Sequence, residues 1–274
     1  MTHTLDVRWL VGSHDVLLMT IDTLRYDVTA DALACGETPA LAAILPKGAW
    51  EKRHSPGSFT YAAHHEFFAG FLPTPARPGP HTRLFGARFE GSETATETTF
   101  IFDAPDIVTG LAEAGYHTIC IGGVGFFNKQ TPLSRVLPSL FAESWWDESV
   151  GVTSMDSTER QVSAAMERIA LAPYGQRIFL FVNISACHQP NRHYLPGAEE
   201  DSPDSQRAAL AYVDRQLPPL FAAMRARAPL LAIICSDHGT AYGEGGYRGH
   251  RLAHPVIWEV PYMEAVLSQE ERAA

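Results

Sequence analysis

The stretch Val16-Leu17-Leu18-Met19-Thr20-Ile21-Asp22 decides the fold. It is a short, nearly continuous apolar run, broken mainly by Thr20, and it ends in a carboxylate. Such a run, bounded by polar residues, predicts a buried strand of a parallel sheet. Ligands of open α/β sheets bind outside the carboxyl ends of such strands. Asp22 is thereby placed at a sheet edge, where Thr23-Leu24-Arg25-Tyr26-Asp27 turns the chain away. A second apolar run, Leu230 to Cys235, ends the same way in Ser236-Asp237-His238-Gly239. Either aspartate alone has an ordinary alternative as a helix N-cap. Together, with His238 and Gly239, they point to a metal site with hard or borderline ligands.

The 274 residues suit one large α/β domain or two small ones, and the ordinary apolar fraction excludes a disordered chain. A net charge of −10 argues against a nucleic-acid surface and against an anionic membrane surface. No apolar run approaches the roughly 20 residues of a membrane span. The opening Met-Thr-His-Thr-Leu-Asp has neither the basic region nor the apolar core of a signal peptide. Cys35, Cys120, Cys187 and Cys235 are widely spaced, and Cys120 and Cys235 fall inside apolar runs. They predict buried thiols of a cytoplasmic protein, not a disulfide frame or a zinc knuckle.

The rest of the chain alternates strand and helix signals. Helical spacing runs from Pro39 to Leu45 and stops at Pro46. Ala49 to Arg53 predicts a short strand, Pro56-Gly57-Ser58 a turn, and Tyr61 to Phe68 a helix closed by Gly70. The Pro-rich and then polar region from Pro73 to Thr99 predicts a long loop or lid. Asp106 to Ala114 predicts a helix closed by Gly115, and His117 to Ile121 a strand. Gly122-Gly123-Val124-Gly125 resembles a phosphate loop but lacks both the dinucleotide and the Walker patterns, so a plain βα turn is expected. Trp145-Trp146-Asp147 is expected to pack. Asp156 to Ala170 predicts an amphipathic helix with Glu159 as its start signal, and Arg177 to Ile184 a buried strand. Gln206 to Met224 predicts one long helix kinked at Pro218-Pro219. This alternation implies a mostly parallel sheet covered on both faces.

Thr60 stands just before the predicted helix, followed by Tyr61-Ala62-Ala63-His64-His65. A hydroxyl there is ordinarily an N-cap. It also faces unpaired N–H groups and the positive end of the helix dipole, which suits an anionic substrate. An alcohol needs an adjacent base or metal to become a nucleophile at neutral pH. Asp22, Asp237 and His238 would supply the metal.

Four pieces, in order, carry a resemblance to the alkaline phosphatase superfamily, in its sulfatase-like branch. Val16 to Asp27 resembles the opening strand and its Asp-Thr-Leu-Arg-x-Asp turn. Phe59 to Gly70 resembles the nucleophile helix. Tyr212 to Leu217 resembles a late helix. Ser236-Asp237-His238-Gly239, with Gly243-Glu244, Gly246-Tyr247 and Gly249-His250, resembles the metal-binding loop. The resemblance implies a single three-layer α/β/α sandwich domain over residues 1–274. It implies a divalent metal (Zn, Mn, Mg or Ca) on Asp22, Asp237 and His238, with Thr60 on it as the nucleophile. It places His64 near the nucleophile or the anion, and His188 and His250 on the substrate. One metal is the simpler expectation, and a second on His188, His193 and His250 stays open. Larger sulfatases continue past the segment around Val260-Pro261-Tyr262 into a C-terminal subdomain. Lack of that part would leave the substrate wall to a homo-oligomer or a partner protein.

Classical sulfatases place a Cys, converted to formylglycine, where this chain has Thr60. The resemblance therefore implies phosphoester hydrolysis or transfer on a small anionic ester, with Thr60, His64, His188 and His250 as catalytic residues. Two alternatives remain at this stage: a sulfoester hydrolase without formylglycine, and a non-catalytic metal- or anion-binding protein.

Overall fold

The computed structural model describes residues 7–70, 85–87, 100–102 and 104–270. Its centre is a seven-stranded sheet. The strands are β1 (Asp15–Ile21), β2 (Glu51–His54), β3 (His117–Ile121), β4 (Glu143–Trp145), β5 (Ile178–Ile184), β6 (Leu230–Cys235) and β7 (Glu259–Leu267). They lie in the order β2-β7-β6-β1-β5-β3-β4. The block from β6 to β4 is parallel, and β7 runs antiparallel to both β6 and β2. β1 is central, with Thr20 facing Cys235 on one side and Asn183 on the other. That register sends Asp22 and Asp237 out of the same sheet edge.

The helices are α1 (Tyr26–Ala34), α2 (Thr60–Ala69), α3 (Ile107–Glu113), α4 (Ser157–Leu171), α5 (Pro203–Gln216) and α6 (Pro218–Arg227). The period of two in β1 splits its side chains between two cores. Leu17, Met19 and Ile21 pack with residues of α1, α4, α5 and α6, among them Val28, Val162, Leu210 and Leu220. Val16 packs on the other face with Phe68 of α2, Val108 of α3, Phe127, Phe179 and Phe181. The result is the expected three-layer α/β sandwich with a mostly parallel sheet. β5 is buried at every position, as a strand covered on both faces must be.

Several boundaries differ from expectation. The segment expected as one kinked helix is two, because Pro218 starts α6 at a first-turn position where its missing N–H costs nothing. α5 begins earlier, at a capping box in which Ser202 and Ser205 exchange side-chain to backbone bonds. Asp156 does not cap α4 with its side chain. Its carboxylate accepts from Ser154 Oγ at 2.7 Å and Arg160 Nε at 2.8 Å. The helix from Pro39 is a single turn, Pro39–Ala42, whose Ala40 and Leu41 N–H groups donate to the buried Asp214. Most of the loop expected from Pro73 to Thr99 lies outside the described residues, in which Phe85–Ala87 pairs in parallel with Phe100–Phe102. The turn around Gly122-Gly123 folds tightly on β5: a Cβ at Gly123 would stand 2.1 Å from the Asn183 carbonyl oxygen. Val124 N–H donates to Asn183 Oδ1, so this loop is a packed turn and its glycines serve close approach. Trp146 Nε1 donates to Gly123 O, a packing role.

Candidate metal centre and nucleophile

Asp22 and Asp237 leave adjacent strands and meet in a pocket where both are fully buried. Thr23 turns the chain with φ 59°, a left-handed conformation that costs a non-glycine residue about 1–2 kcal/mol. Three bonds hold it there. Its N–H donates to Asp237 Oδ1 at 3.1 Å, its hydroxyl to Cys187 O at 3.0 Å, and its carbonyl accepts from Gln206 Nε2 at 2.9 Å. Beyond Asp237, a Cβ at Gly239 would stand 1.8 Å from Val256 O, so only glycine lets the loop lie so close to the 255–258 turn.

One donor atom from each of Asp22, Asp237 and His238 lies within 4.8 Å of the others, and among the described residues this is the one such group. His238 Nδ1 donates to the Gly239 carbonyl at 2.9 Å. That bond fixes the tautomer and leaves the Nε2 lone pair facing the pocket. Burial holds the ring below its ordinary protonation range, so it stays neutral. Asp22 Oδ1 and Asp237 Oδ2 are buried with no hydrogen-bond partner. Burial, and for Asp22 also the facing Asp237 charge, pushes both carboxyls up to about 7. Two orphaned carboxylate oxygens and an imidazole lone pair, converging in one buried pocket, fit a divalent cation.

Thr60 is the first residue of α2, and the N-cap position belongs to Phe59. The Thr60 hydroxyl does not cap the helix. It donates to Asp22 Oδ2 at 3.2 Å and lies 3.4 Å from His238 Nε2. The turn before α2 is tied to the same centre, since the Ser55 hydroxyl lies within hydrogen-bond reach of the carbonyls of both Gly57 and Asp237.

His64, one turn further along α2, is fully buried, with Nδ1 3.8 Å from Asp237 Oδ2. Its Nδ1 donates to the Thr60 carbonyl at 2.8 Å and its Nε2 accepts from Thr20 Oγ1 at 2.9 Å. Phe67, Phe68, Phe127 and Phe181 surround the ring. Burial pushes its pKa down to about 3. A neutral ring with both nitrogens engaged buttresses the Thr60 backbone. His188 and His250 come together at the pocket, with ring centroids 5.8 Å apart and His250 4.6 Å from His238. His250 Nδ1 is buried without a partner, and burial pushes the ring down to about 3. His193 lies 4.2 Å from the Tyr194 ring, and among the described residues His188, His193 and His250 do not form a group with metal-ligand spacing.

Sequence reading missed the polar layer beneath the site. Asn183 Nδ2 donates to Thr20 Oγ1 at 3.1 Å and to Asp22 Oδ2 at 3.4 Å. Gln161 Nε2 donates to the carbonyls of Gly122 and Asn183. Arg25, almost fully buried, pairs with Asp27 and Glu244 and so ties the turn after β1 to the loop after Asp237. Thr20 and Asn183 carried a signal: each is a polar break in an otherwise apolar strand.

The Sulfatase family model matches residues 14–265. No curated protein matches the chain in sequence. Solved structures share its fold at low identity. The C-terminal periplasmic domain of EcEptC from Escherichia coli, as a Zn complex, has 12% identity and a TM-score of 0.63 over 94% of this chain and 74% of that one. The soluble domain of lipooligosaccharide phosphoethanolamine transferase A from Neisseria meningitidis has 14% identity and 0.63, over 93% and 78%. The lipoteichoic acid synthase LtaP from Listeria monocytogenes has 13% identity and 0.61, over 96% and 67%. With a match spanning nearly the whole chain, these 274 residues belong to the Sulfatase family.

Proposed function

We propose that this chain is a metal-dependent phosphoester hydrolase or phosphotransferase that acts on small anionic esters through Thr60. The observation that carries the proposal is the Thr60 hydroxyl, 3.2 Å from Asp22 Oδ2 and 3.4 Å from His238 Nε2, beside two orphaned carboxylate oxygens. Asp22, Asp237, His238 and Thr60 would hold the cation. When bound, it lowers the proton affinity of an alcohol and neutralises charge on the transferring group.

The chain's own groups supply the rest. Asp22 Oδ2 is the first acceptor for the Thr60 proton. Thr60 Oγ1 attacks phosphorus, the leaving alcohol departs, and water or a second alcohol then releases the phosphoryl group from Thr60. His64 and Thr20 hold the Thr60 backbone in place. His250, neutral and with a free Nδ1, donates a hydrogen bond to an oxygen of the transferring group or to the leaving oxygen, and His188, whose Nδ1 donates to the Gln189 carbonyl, stands beside it to orient the group.

A threonine cannot become formylglycine, which favours phosphorus over sulfur. The names of the EptA and LtaP structures, a phosphoethanolamine transferase and a lipoteichoic acid synthase, point the same way. Zinc is the metal in one similar structure, so zinc is the first to test. Among the described residues no helix is long and apolar enough to cross a membrane. The cytoplasmic expectation gains no support from neighbours named as periplasmic domains, a property of those proteins. A homo-oligomer or a partner protein at the site is part of the proposal, and the oligomeric state in solution tests it.

The test is a matched pair of aryl phosphate and aryl sulfate with metal-loaded protein. The proposal expects turnover of the phosphate and far slower turnover of the sulfate. The reverse order overturns it. Stoichiometric metal with no turnover of either ester leaves a binding protein.

A further inference from the structure

Asn183 is a fully buried amide near the end of β5, level with Thr20 on β1. Its orientation is settled by its partners. Oδ1 accepts from the Val124 N–H at 3.0 Å. A turned-over amide would set two N–H groups against each other there, so Nδ2 faces the other way. Both Nδ2 hydrogens are used. One goes to Thr20 Oγ1 at 3.1 Å and the other to Asp22 Oδ2 at 3.4 Å. The backbone is held as firmly: the Asn183 carbonyl accepts from Gln161 Nε2, and Gly123 packs against it too closely for any side chain.

The direction of each further bond follows from that start. The Thr60 carbonyl only accepts, so His64 Nδ1 carries the ring hydrogen and Nε2 is an acceptor. Thr20 Oγ1 must then donate to Nε2, and its lone pairs are what remain for Asn183. The bonds run one way, from Asn183 to Thr20, to His64, to the Thr60 carbonyl. The other Asn183 hydrogen acts on the carboxylate. Asp22 Oδ2 takes it together with the Thr60 hydroxyl, while Asp22 Oδ1 is left without a partner. One amide therefore reaches both halves of the site, the ligand directly and the nucleophile through two side chains.

Resting on the function proposed above, we propose that Asn183 is a positioning residue that sets the metal ligand Asp22 and the nucleophile Thr60 relative to each other. It engages Asp22 Oδ2 on the side of the Thr60 hydroxyl, which leaves Oδ1 for the cation. Through Thr20 and His64 it fixes the Thr60 backbone. The position requires donors: an ionised aspartate there would meet Asp22 oxygen to oxygen. Asn183 lies beneath the pocket, so its effect falls on zinc affinity and kcat, not on KM.

The test compares wild type with Asn183→Leu, which keeps the branching without the amide, and Thr20→Val, which keeps the shape without the hydroxyl. Calorimetry reads the zinc affinity of stripped protein. An aryl phosphate at saturating zinc gives kcat and KM, and each protein has a melting curve. Groups that orient a metal ligand contribute about 10–100-fold to affinity or activity. Asn183→Leu should lose at least about tenfold in both zinc affinity and kcat, with KM little changed. Thr20→Val breaks only the branch to Thr60, so it should lose kcat at least about tenfold and keep zinc affinity within about twofold. An amide that merely supports the fold would lower the melting temperature alone. Asn183→Leu within about twofold of wild type in zinc affinity and kcat therefore overturns the assignment, and Thr20→Val within about twofold in kcat overturns the branch through His64. Should Asn183→Leu not fold, Asn183→Asp, equal in shape, decides: kcat within about twofold of wild type overturns the assignment. Wild type that binds zinc but turns over no ester overturns the Thr60 reading, while the zinc affinity of Asn183→Leu still decides whether Asn183 holds Asp22.

Discussion

Replacing Gly57 with alanine tests how α2 is placed. A Cβ at Gly57 would stand 2.5 Å from the Ala63 backbone nitrogen and 2.9 Å from its Cα. Ordinary contact begins near 3.4 Å, so something must yield by about 0.9 Å. Both obstacles are backbone, and no rotamer change relieves them. The first turn of α2, which carries Thr60, or the turn around Ser55 must move. Overpacking of this kind costs about 1–3 kcal/mol of stability. A reacting group displaced by about 1 Å loses roughly 10²-fold in rate. The cation ligands Asp22, Asp237 and His238 come from β1 and β6, so metal binding should survive. Gly57→Ala is expected to retain stoichiometric metal, melt at a lower temperature, and lose about two orders of magnitude in turnover of an aryl phosphate. Metal analysis, calorimetry and a steady-state rate check the three. Turnover within about threefold of wild type would refute the claim that this turn sets the position of Thr60.

Asp237→Ala should remove stoichiometric metal and turnover together while the fold survives, and metal content measured after dialysis decides it. His64→Ala should leave metal bound but cut turnover. It also removes two buried hydrogen bonds and opens a cavity among Phe67, Phe127 and Phe181, a destabilisation of about 2–4 kcal/mol read by denaturant unfolding. Metal-stripped protein should lose stability as pH rises. Asp22 and Asp237 have folded values near 7 against an ordinary 3.8, so the contribution of their protonated forms is complete below about pH 4 and is lost through 7. Melting temperatures of stripped protein should therefore fall between about pH 5 and 8, and those of zinc-loaded protein should not follow.

Much of the sheet was legible because burial on both faces writes a mostly apolar run with few polar breaks. β1, β3, β5 and β6 are such runs, and their ends located Asp22 and Asp237. β7 was not, since Glu259, Pro261 and Glu264 interrupt it. Its place is set by antiparallel pairing with β6, which no local pattern records. β4, three residues long, is too short to show a period. At the site, Thr60 was found from its position before a helix, but its hydroxyl direction depends on Asp22 and His238, which lie 38 and 178 residues away. His64 was placed by the resemblance near the nucleophile or the anion, and its bond to the Thr60 carbonyl within an aromatic shell, a contact no local pattern records, is what bears on the first of these. Arg25 and Asn183 act through partners distant in sequence and had only faint local signals.

The central claim is that Thr60 is the nucleophile, and the alanine variant tests it most directly. Serine keeps an alcohol and does not separate the readings. Thr60→Ala leaves Asp22, Asp237 and His238 in place, so it should fold and keep at least part of its metal. The measurement is turnover of an aryl phosphate by metal-loaded Thr60→Ala beside wild type, with metal content and a melting curve for each. The account predicts loss of nearly all turnover. More than about a tenth of wild-type turnover, a barrier change under roughly 1.4 kcal/mol, contradicts it.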